Sequence, residues 1–339
     1  MDIFYISLYI NCKNFGFFEM GRKKNIHCDL VWYKRIVFEI LWGTCYIFGL
    51  MPRWFRYGIM HSFFTAILRL LGYRKRVILE NLRKSFPEKS ESEIKHIMRE
   101  YYRTLSEVIV TTISLAAATP ERFGDAIEWV EPEQHIEKNK GRDWIAMASH
   151  YGCWEYYPLW CWQDKLGYFI AVYHPLKSDI FEHFYRRLRS FEPSVAVVPM
   201  KETVRHYIKH RSSEHTTVLG LISDQSPRLT AESQWIDFLN QKTIFIEGSE
   251  RLAMKFKIPV YFVVTERICL GRYRISFIEI YDGKEPIKEG DITRRYAEEL
   301  EKMIRRTPEL WMWSHKRWKH TPEKQAARFG KCTLEEQGE

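Results

Sequence analysis

Residues 144–162 read WIAMASHYGCWEYYPLWCW: an apolar run, a short loop, and a second run rich in aromatics. Trp144–Ser149 follows the turn signal Gly141-Arg142-Asp143 and predicts a strand. Gly152 permits a tight turn, and a helix is expected over Trp154–Trp162. That order places His150 at the C-terminal end of a strand, where open α/β sheets carry their sites.

The same alternation continues downstream. Strands are expected at Tyr168–Tyr173, Val195–Val198, Thr217–Ile222, Val260–Glu266 and Tyr273–Ile280, with helical patterns at Ile180–Phe191, Glu202–His210 and Ser249–Lys257. Strands alternating with helices over about 130 residues predict an α/β fold, a largely parallel central sheet flanked by helices. A last helix, Ile292–Arg306, is stopped by Pro308, and residues 321–339 form a polar tail, expected to fray beyond Pro322. Upstream, Arg74–Phe86 ends at Pro87. Ser90–Ser114 shows an apolar helical face (Ile94, Ile97, Met98, Tyr101, Leu105, Val108, Ile109) behind a Ser90-x-x-Glu93 capping box.

Residues 31–72 are different in kind. Ile36–Met51 reads IVFEILWGTCYIFGLM, 16 residues interrupted by Glu39, where a membrane span needs about 20 apolar residues. Tyr57–Gly72 is amphipathic. Three readings stand: one marginal transmembrane helix, a pair of helices lying in the headgroup region, or a buried hairpin. Residues 1–30 are an N-terminal extension without the basic start or small-residue cleavage site of a secretory signal, and Met20 is an alternative start.

Composition narrows the partners. Lys plus Arg number 52 against 43 Asp plus Glu, a net charge of +9 that favours anionic partners: nucleic acid, anionic lipid or an acidic carrier protein. No nucleic-acid module accompanies these cations. The 12 Trp and 19 Tyr suit a boundary that is apolar on one side and wet on the other. Seven scattered cysteines with no C-x-x-C pair argue against a disulfide scaffold or a zinc site and fit a reducing compartment.

The chemistry-bearing stretch is Ser149-His150-Tyr151-Gly152-Cys153-Trp154-Glu155. Five positions along a regular helix rotate side chains about 140° apart, so His150 and Glu155 meet only if His150 sits in the loop. A carboxylate on one imidazole nitrogen fixes the tautomer and leaves the other as a base. Such a pair suits activation of an acceptor hydroxyl, and a thioester is an apt electrophile because the departing thiolate needs little protonation. The competing readings are a loop histidine beside a helix N-terminal acid, and Cys153 as nucleophile with His150 as base. Phe184-Tyr185-Arg186-Arg187-Leu188-Arg189 sets basic residues on a helix, able to fork onto phosphate or simply to face solvent. Trp311–Lys319 interleaves aromatics with cations, either as a headgroup-facing edge or as a core-packed segment.

Six blocks in order resemble the late acyltransferases of lipid A biosynthesis, within the lysophospholipid and glycerol-phosphate acyltransferase superfamily. They are ENLRKSFPE (80–88), ASHYGCWE (148–155), VYHPLKSDIFEHFYRRLRS (172–190), LISDQSP (221–227), FIEGSERLAMKFKIPVYFV (245–263) and PELWMWSHKRWK (308–319). The resemblance spans Tyr33–Lys319 and implies a glycerol-phosphate acyltransferase-like domain over residues 73–320 behind membrane-anchoring helices at 31–72. It implies His150 as catalytic base and Glu155 as its carboxylate partner in an H-x4-E motif. Substrate-binding positions would be Arg187, Arg189, Asp224, Glu250 (with Glu247 the alternative at that block) and Arg251, although the block at 245–263 departs from the F-P-E-G-T-R form of glycerol-phosphate enzymes. The implied reaction moves a fatty acyl chain from acyl-acyl carrier protein to a hydroxyl of an anionic lipid A precursor, without metal or cofactor, on the cytoplasmic face of the bacterial inner membrane. Related outcomes are another lipid acceptor, thioester hydrolysis, and lipid binding without turnover.

Overall fold

The computed structural model describes residues 30–330, so the expectations for residues 1–29 and for the end of the tail lie outside the described residues. Helix α1 (Trp32–Leu50) stops where Met51 turns extended before Pro52. A π-helical turn, Trp54–Met60, then leads into α2 (His61–Leu70), and the two arms bend by 108°. No single described helix is long and apolar enough to cross a membrane; the bent pair passes by length and composition. The pair is buried on one side only: Phe38, Cys45 and Tyr57 lie in the interior, whereas Trp32, Trp54, Leu70 and Leu71 are 75%, 67%, 86% and 76% exposed. The inner side of α1 docks through Gly49, where an added Cβ would stand 2.5 Å from the Ser114 carbonyl oxygen.

Helix α3 (Lys75–Ser85) and the long α4 (Glu91–Ser114) follow. The expected capping box is present: the Ser90 hydroxyl accepts the Glu93 N–H, and the Glu93 carboxylate accepts the Ser90 N–H at 2.8 Å.

The sheet has seven strands. They are β1 (Ile127–Trp129), β2 (Trp144–Ala148), β3 (Tyr168–Tyr173), β4 (Val195–Pro199), β5 (Thr217–Ile222) and, after a small separate hairpin β6 (Ile236–Phe238) and β7 (Gln241–Thr243), β8 (Val260–Cys269) and β9 (Arg272–Tyr281). Their order is β1-β9-β8-β2-β5-β3-β4. Neighbours run parallel except for the β8–β9 hairpin, so the largely parallel sheet is as expected. The three-residue strands β1, β6 and β7 carry too little alternation to be read from sequence. Every residue of β2 is buried. Ile145 and Met147 point into one core with Leu219, Phe262 and Trp311, whereas Trp144, Ala146 and Ala148 join the other with Trp160 and Tyr261.

The layers beside the sheet include α5 (Asp179–Arg189), α6 (Thr203–His210), α7 (Gly248–Phe256) and α8 (Asp291–Arg306). Two expectations change. Trp154–Trp162 is a 3₁₀ helix rather than an α-helix, consistent with Pro158 inside it having no N–H to donate. The beginning of the polar tail is packed, not frayed: Thr321 caps a helix, Pro322–Phe329, in which Gln325 is 1% exposed and donates to the Thr230 and Ala231 carbonyls.

Candidate active site

Strands β2 and β5 are parallel neighbours in a register that pairs Ala148 with Ile222. The residues two places beyond each strand end, His150 and Asp224, therefore emerge side by side at the C-terminal edge of the sheet. The His150 loop is fixed from below. Gly152 takes φ +57, and a Cβ there would collide with the Tyr273 ring at 2.5 Å, so the position requires glycine on both counts. The Gly152 N–H donates to the Leu310 carbonyl at 2.9 Å, the Met312 N–H donates to the His150 carbonyl at 3.1 Å, and Tyr151 forms an antiparallel bridge with Trp311.

The carboxylate on the imidazole is Asp224. Its Oδ1 lies 2.6 Å from His150 Nδ1, while Oδ2 accepts the His150 main-chain N–H at 2.9 Å and the Trp311 indole N–H at 2.8 Å. Burial alone pushes the Asp224 carboxyl up, but the facing imidazole and these donors outweigh it and hold the group below its usual value. An ionised Asp224 places the proton on Nδ1 and leaves the lone pair on Nε2. Gln225 donates its amide N–H to that Nε2 at 3.1 Å. The His150 side chain is 15% exposed, against 2% for that of Asp224. The imidazole keeps an opening to its surroundings while the carboxylate is sealed.

Glu155 is not that partner. Arg189 forks onto it, with Nε to Oε2 at 2.8 Å and Nη2 to Oε1 at 2.6 Å. A bidentate guanidinium satisfies a buried carboxylate better than a neutral imidazole does, so the H-x4-E spacing builds a strut beneath the loop and the imidazole turns to the neighbouring strand. Arg187 also lies within an ion pair, reaching Glu39 at 3.2 Å with its guanidinium 4.2 Å from the Trp42 ring centroid. That contact accounts for the acid in the apolar stretch: Glu39 ties α1 to α5.

Glu250, expected at the substrate, instead anchors α8, accepting the Gly290 N–H at 2.7 Å, the Thr293 N–H at 3.2 Å and the Thr293 hydroxyl. This follows from its burial at the N-terminus of α8, whose free N–H groups need acceptors. Arg251 is exposed and pairs with Glu247 one turn away at 2.7 Å. The Cys153 thiol donates to Thr111 Oγ1 at 3.3 Å and is 3% exposed; burial pushes it well above its ordinary value, which keeps it a neutral thiol and removes it as nucleophile. The Trp311–Lys319 segment is core-packed at Trp311, Trp313 and Arg317, and through Trp311 it becomes part of the site. The family resemblance implies Asp224 as a substrate ligand; its place beside His150 depends on strand adjacency, which spacing along one chain does not carry.

A histidine paired with a buried carboxylate at the C-terminal edge of a parallel sheet is an arrangement chemically able to take a proton from an incoming hydroxyl. The bacterial lipid A biosynthesis acyltransferase family model matches residues 24–320, and the chain belongs to that family. It is an O-acyltransferase. It is 21% identical over 280 residues to the lipid A biosynthesis myristoyltransferase of Escherichia coli (strain K12), covering 78% of this chain and 81% of that protein. Lipid A biosynthesis acyltransferase 1 of Shigella flexneri matches to the same extent, 21% over 280 residues.

Proposed function

We propose that this acyltransferase carries out a late, secondary acylation, moving a fatty acyl chain from acyl-acyl carrier protein to a hydroxyl of a lipid A precursor. The observation that carries the reading is the His150–Asp224 pair within a chain of this family. His150 Nε2 takes the hydroxyl proton as the oxygen attacks the thioester carbonyl. The tetrahedral intermediate collapses, the C–S bond breaks, and the imidazolium returns its proton to the leaving thiolate. The cycle needs neither metal nor redox cofactor, because one proton and one acyl group are all that move. The positive net charge supports an acidic carrier as donor and an anionic lipid as acceptor.

The test is comparative lipid mass spectrometry of a deletion strain, joined to an assay of the purified protein with acyl-carrier and acyl-coenzyme A donors. The expected result is accumulation of lipid A lacking one acyl chain, and its conversion in vitro by the carrier-linked donor. Unchanged lipid A species would overturn the choice of acceptor, and equal use of both donors would overturn the choice of carrier.

The same proposal seats the enzyme on the cytoplasmic face of the bacterial inner membrane through α1, the π-helical turn and α2, whose outward side chains include Trp32, Ile40, Trp54, Phe63, Leu70 and Leu71. A bent pair with exposed apolar residues supports helices lying in the headgroup region rather than spanning. Replacing Leu70 and Leu71 together by Glu is expected to weaken co-sedimentation with anionic vesicles by at least ~10²-fold, since each buried Leu contributes roughly 1.5 kcal/mol or more. Undiminished vesicle binding by the double variant would refute this seating.

A further inference from the structure

Arg317 is 2% exposed. Its Nη2 donates to the Ile244 carbonyl at 2.6 Å, its guanidinium lies 4.6 Å from the Phe245 ring centroid, and Nε and Nη1 have no protein partner. None of its nitrogens bonds a carboxylate. A buried cation held this way is costly unless an opposite charge faces it. The buried carboxylate that acts on it through space, without a hydrogen bond between them, is Asp224, itself 3% exposed. The two are linked through an aromatic cluster: Phe245 packs on Phe238 with centroids 5.1 Å apart, Phe238 on Trp311 at 5.9 Å, and the Trp311 indole holds Asp224. In such surroundings charges act across a longer reach than they do in water.

The other titratable groups facing Asp224 are His150, Tyr157, Tyr296 and His315. Burial pushes both tyrosines up, so they stay neutral. Burial pulls His315 down to about 4, with Arg317 adding to the effect, so it too is neutral near pH 7. Burial likewise lowers Arg317, to about 10, which leaves it cationic there, with Asp224 opposing the fall. Among the described residues facing the pair, Arg317 is therefore the permanent cation.

We propose that Arg317 is a positioning residue, the buried counter-charge that acts through Asp224 to keep that carboxylate ionised while it holds the imidazole, and that it touches no substrate. The inference rests on the His150–Asp224 reading above. The pair titrates as one unit. Removing a fixed positive charge makes the unit take up a proton more readily, so the acid limb of activity moves to higher pH.

The experiment is the pH profile of kcat/KM for the wild type, Arg317→Lys and Arg317→Met. Arg317→Met is expected to move the acid limb up by about one pH unit, at the low end for charges that do not touch, with the high-pH plateau largely kept. Arg317→Lys, which keeps the charge, should leave the limb in place. A limb that stays put in Arg317→Met overturns the proposal, whether the change appears as a raised KM (a substrate contact) or as a plateau lowered at every pH (packing alone).

Stability supplies a second reading that does not need an active variant. Arg317→Met should cost less in an Asp224→Asn background than in the wild type, because the charge it answers is gone; equal cost in both backgrounds overturns the proposal. Full activity in His150→Ala or Asp224→Asn would instead strike the catalytic reading itself. The coupling between Arg317 and His150 could then still be read from the His150 ring titration by NMR.

Discussion

Asp224→Asn is expected to lower kcat by about 10²–10⁴-fold, the usual span for a positioned general base, with the fold retained and KM little changed. The reason lies in the three donors around the carboxylate. Oδ2 takes two N–H groups, from the His150 main chain and the Trp311 indole, while Oδ1 takes one, at His150 Nδ1. An asparagine must put its carbonyl oxygen where two donors converge, because the opposite orientation points its NH2 at both of them. Its NH2 then faces Nδ1 and turns the imidazole to the tautomer protonated on Nε2, which cannot accept the hydroxyl proton. Steady-state kinetics with saturating donor measure the loss. His150→Ala should fall to a similar level, and the double variant no lower than the worse single one, since the two act as a unit. An Asp224→Asn enzyme retaining more than about a tenth of wild-type kcat would show that the pair does not supply the base.

This prediction also marks what could be read from the chain alone. The alternation from Trp144 to Ile280 was legible because each strand is a short apolar run closed by turn residues, and β2, buried on both faces, leaves little other interpretation. His150 was legible for the same reason: a polar residue directly after such a strand, followed by a glycine, sits on the sheet's rim. Its partner was not. The spacing to Glu155 is a local feature, whereas the pairing with Asp224 depends on β5 lying next to β2 although β3 and β4 intervene in sequence. Which strand fills that slot is decided by tertiary packing. The same limit applied to Arg187, Arg189 and Glu250. Their charges suggested ligands, but each has a protein partner distant in sequence, and a cation pattern on one helix cannot reveal the acid on another.

Arg189→Met is expected to destabilise the protein by about 3 kcal/mol, the lower end of the range for breaking a buried ion pair, because Arg189 keeps 20% of its side chain exposed while Glu155 keeps 5%. The variant strands a buried carboxylate whose two oxygens both faced the guanidinium. It also removes the guanidinium that lies 5.0 Å from the Tyr185 ring centroid. Urea denaturation measures the loss. Replacing both partners, Glu155→Leu with Arg189→Met, should recover most of it, since an apolar pair of similar volume avoids the desolvation that the ion pair had to offset. The kinetic signature separates this role from that of Asp224. Glu155 lies in the first turn of the 3₁₀ segment that carries the chain away from His150, so loosening it displaces the imidazole without changing the charges around it. Glu155→Gln should therefore lower kcat at all pH values while leaving the acid limb in place. If Glu155→Gln moved that limb as far as a change at the His150–Asp224 pair does, the carboxylate would be acting on the imidazole after all, and Arg189 would be holding it in reserve for that purpose.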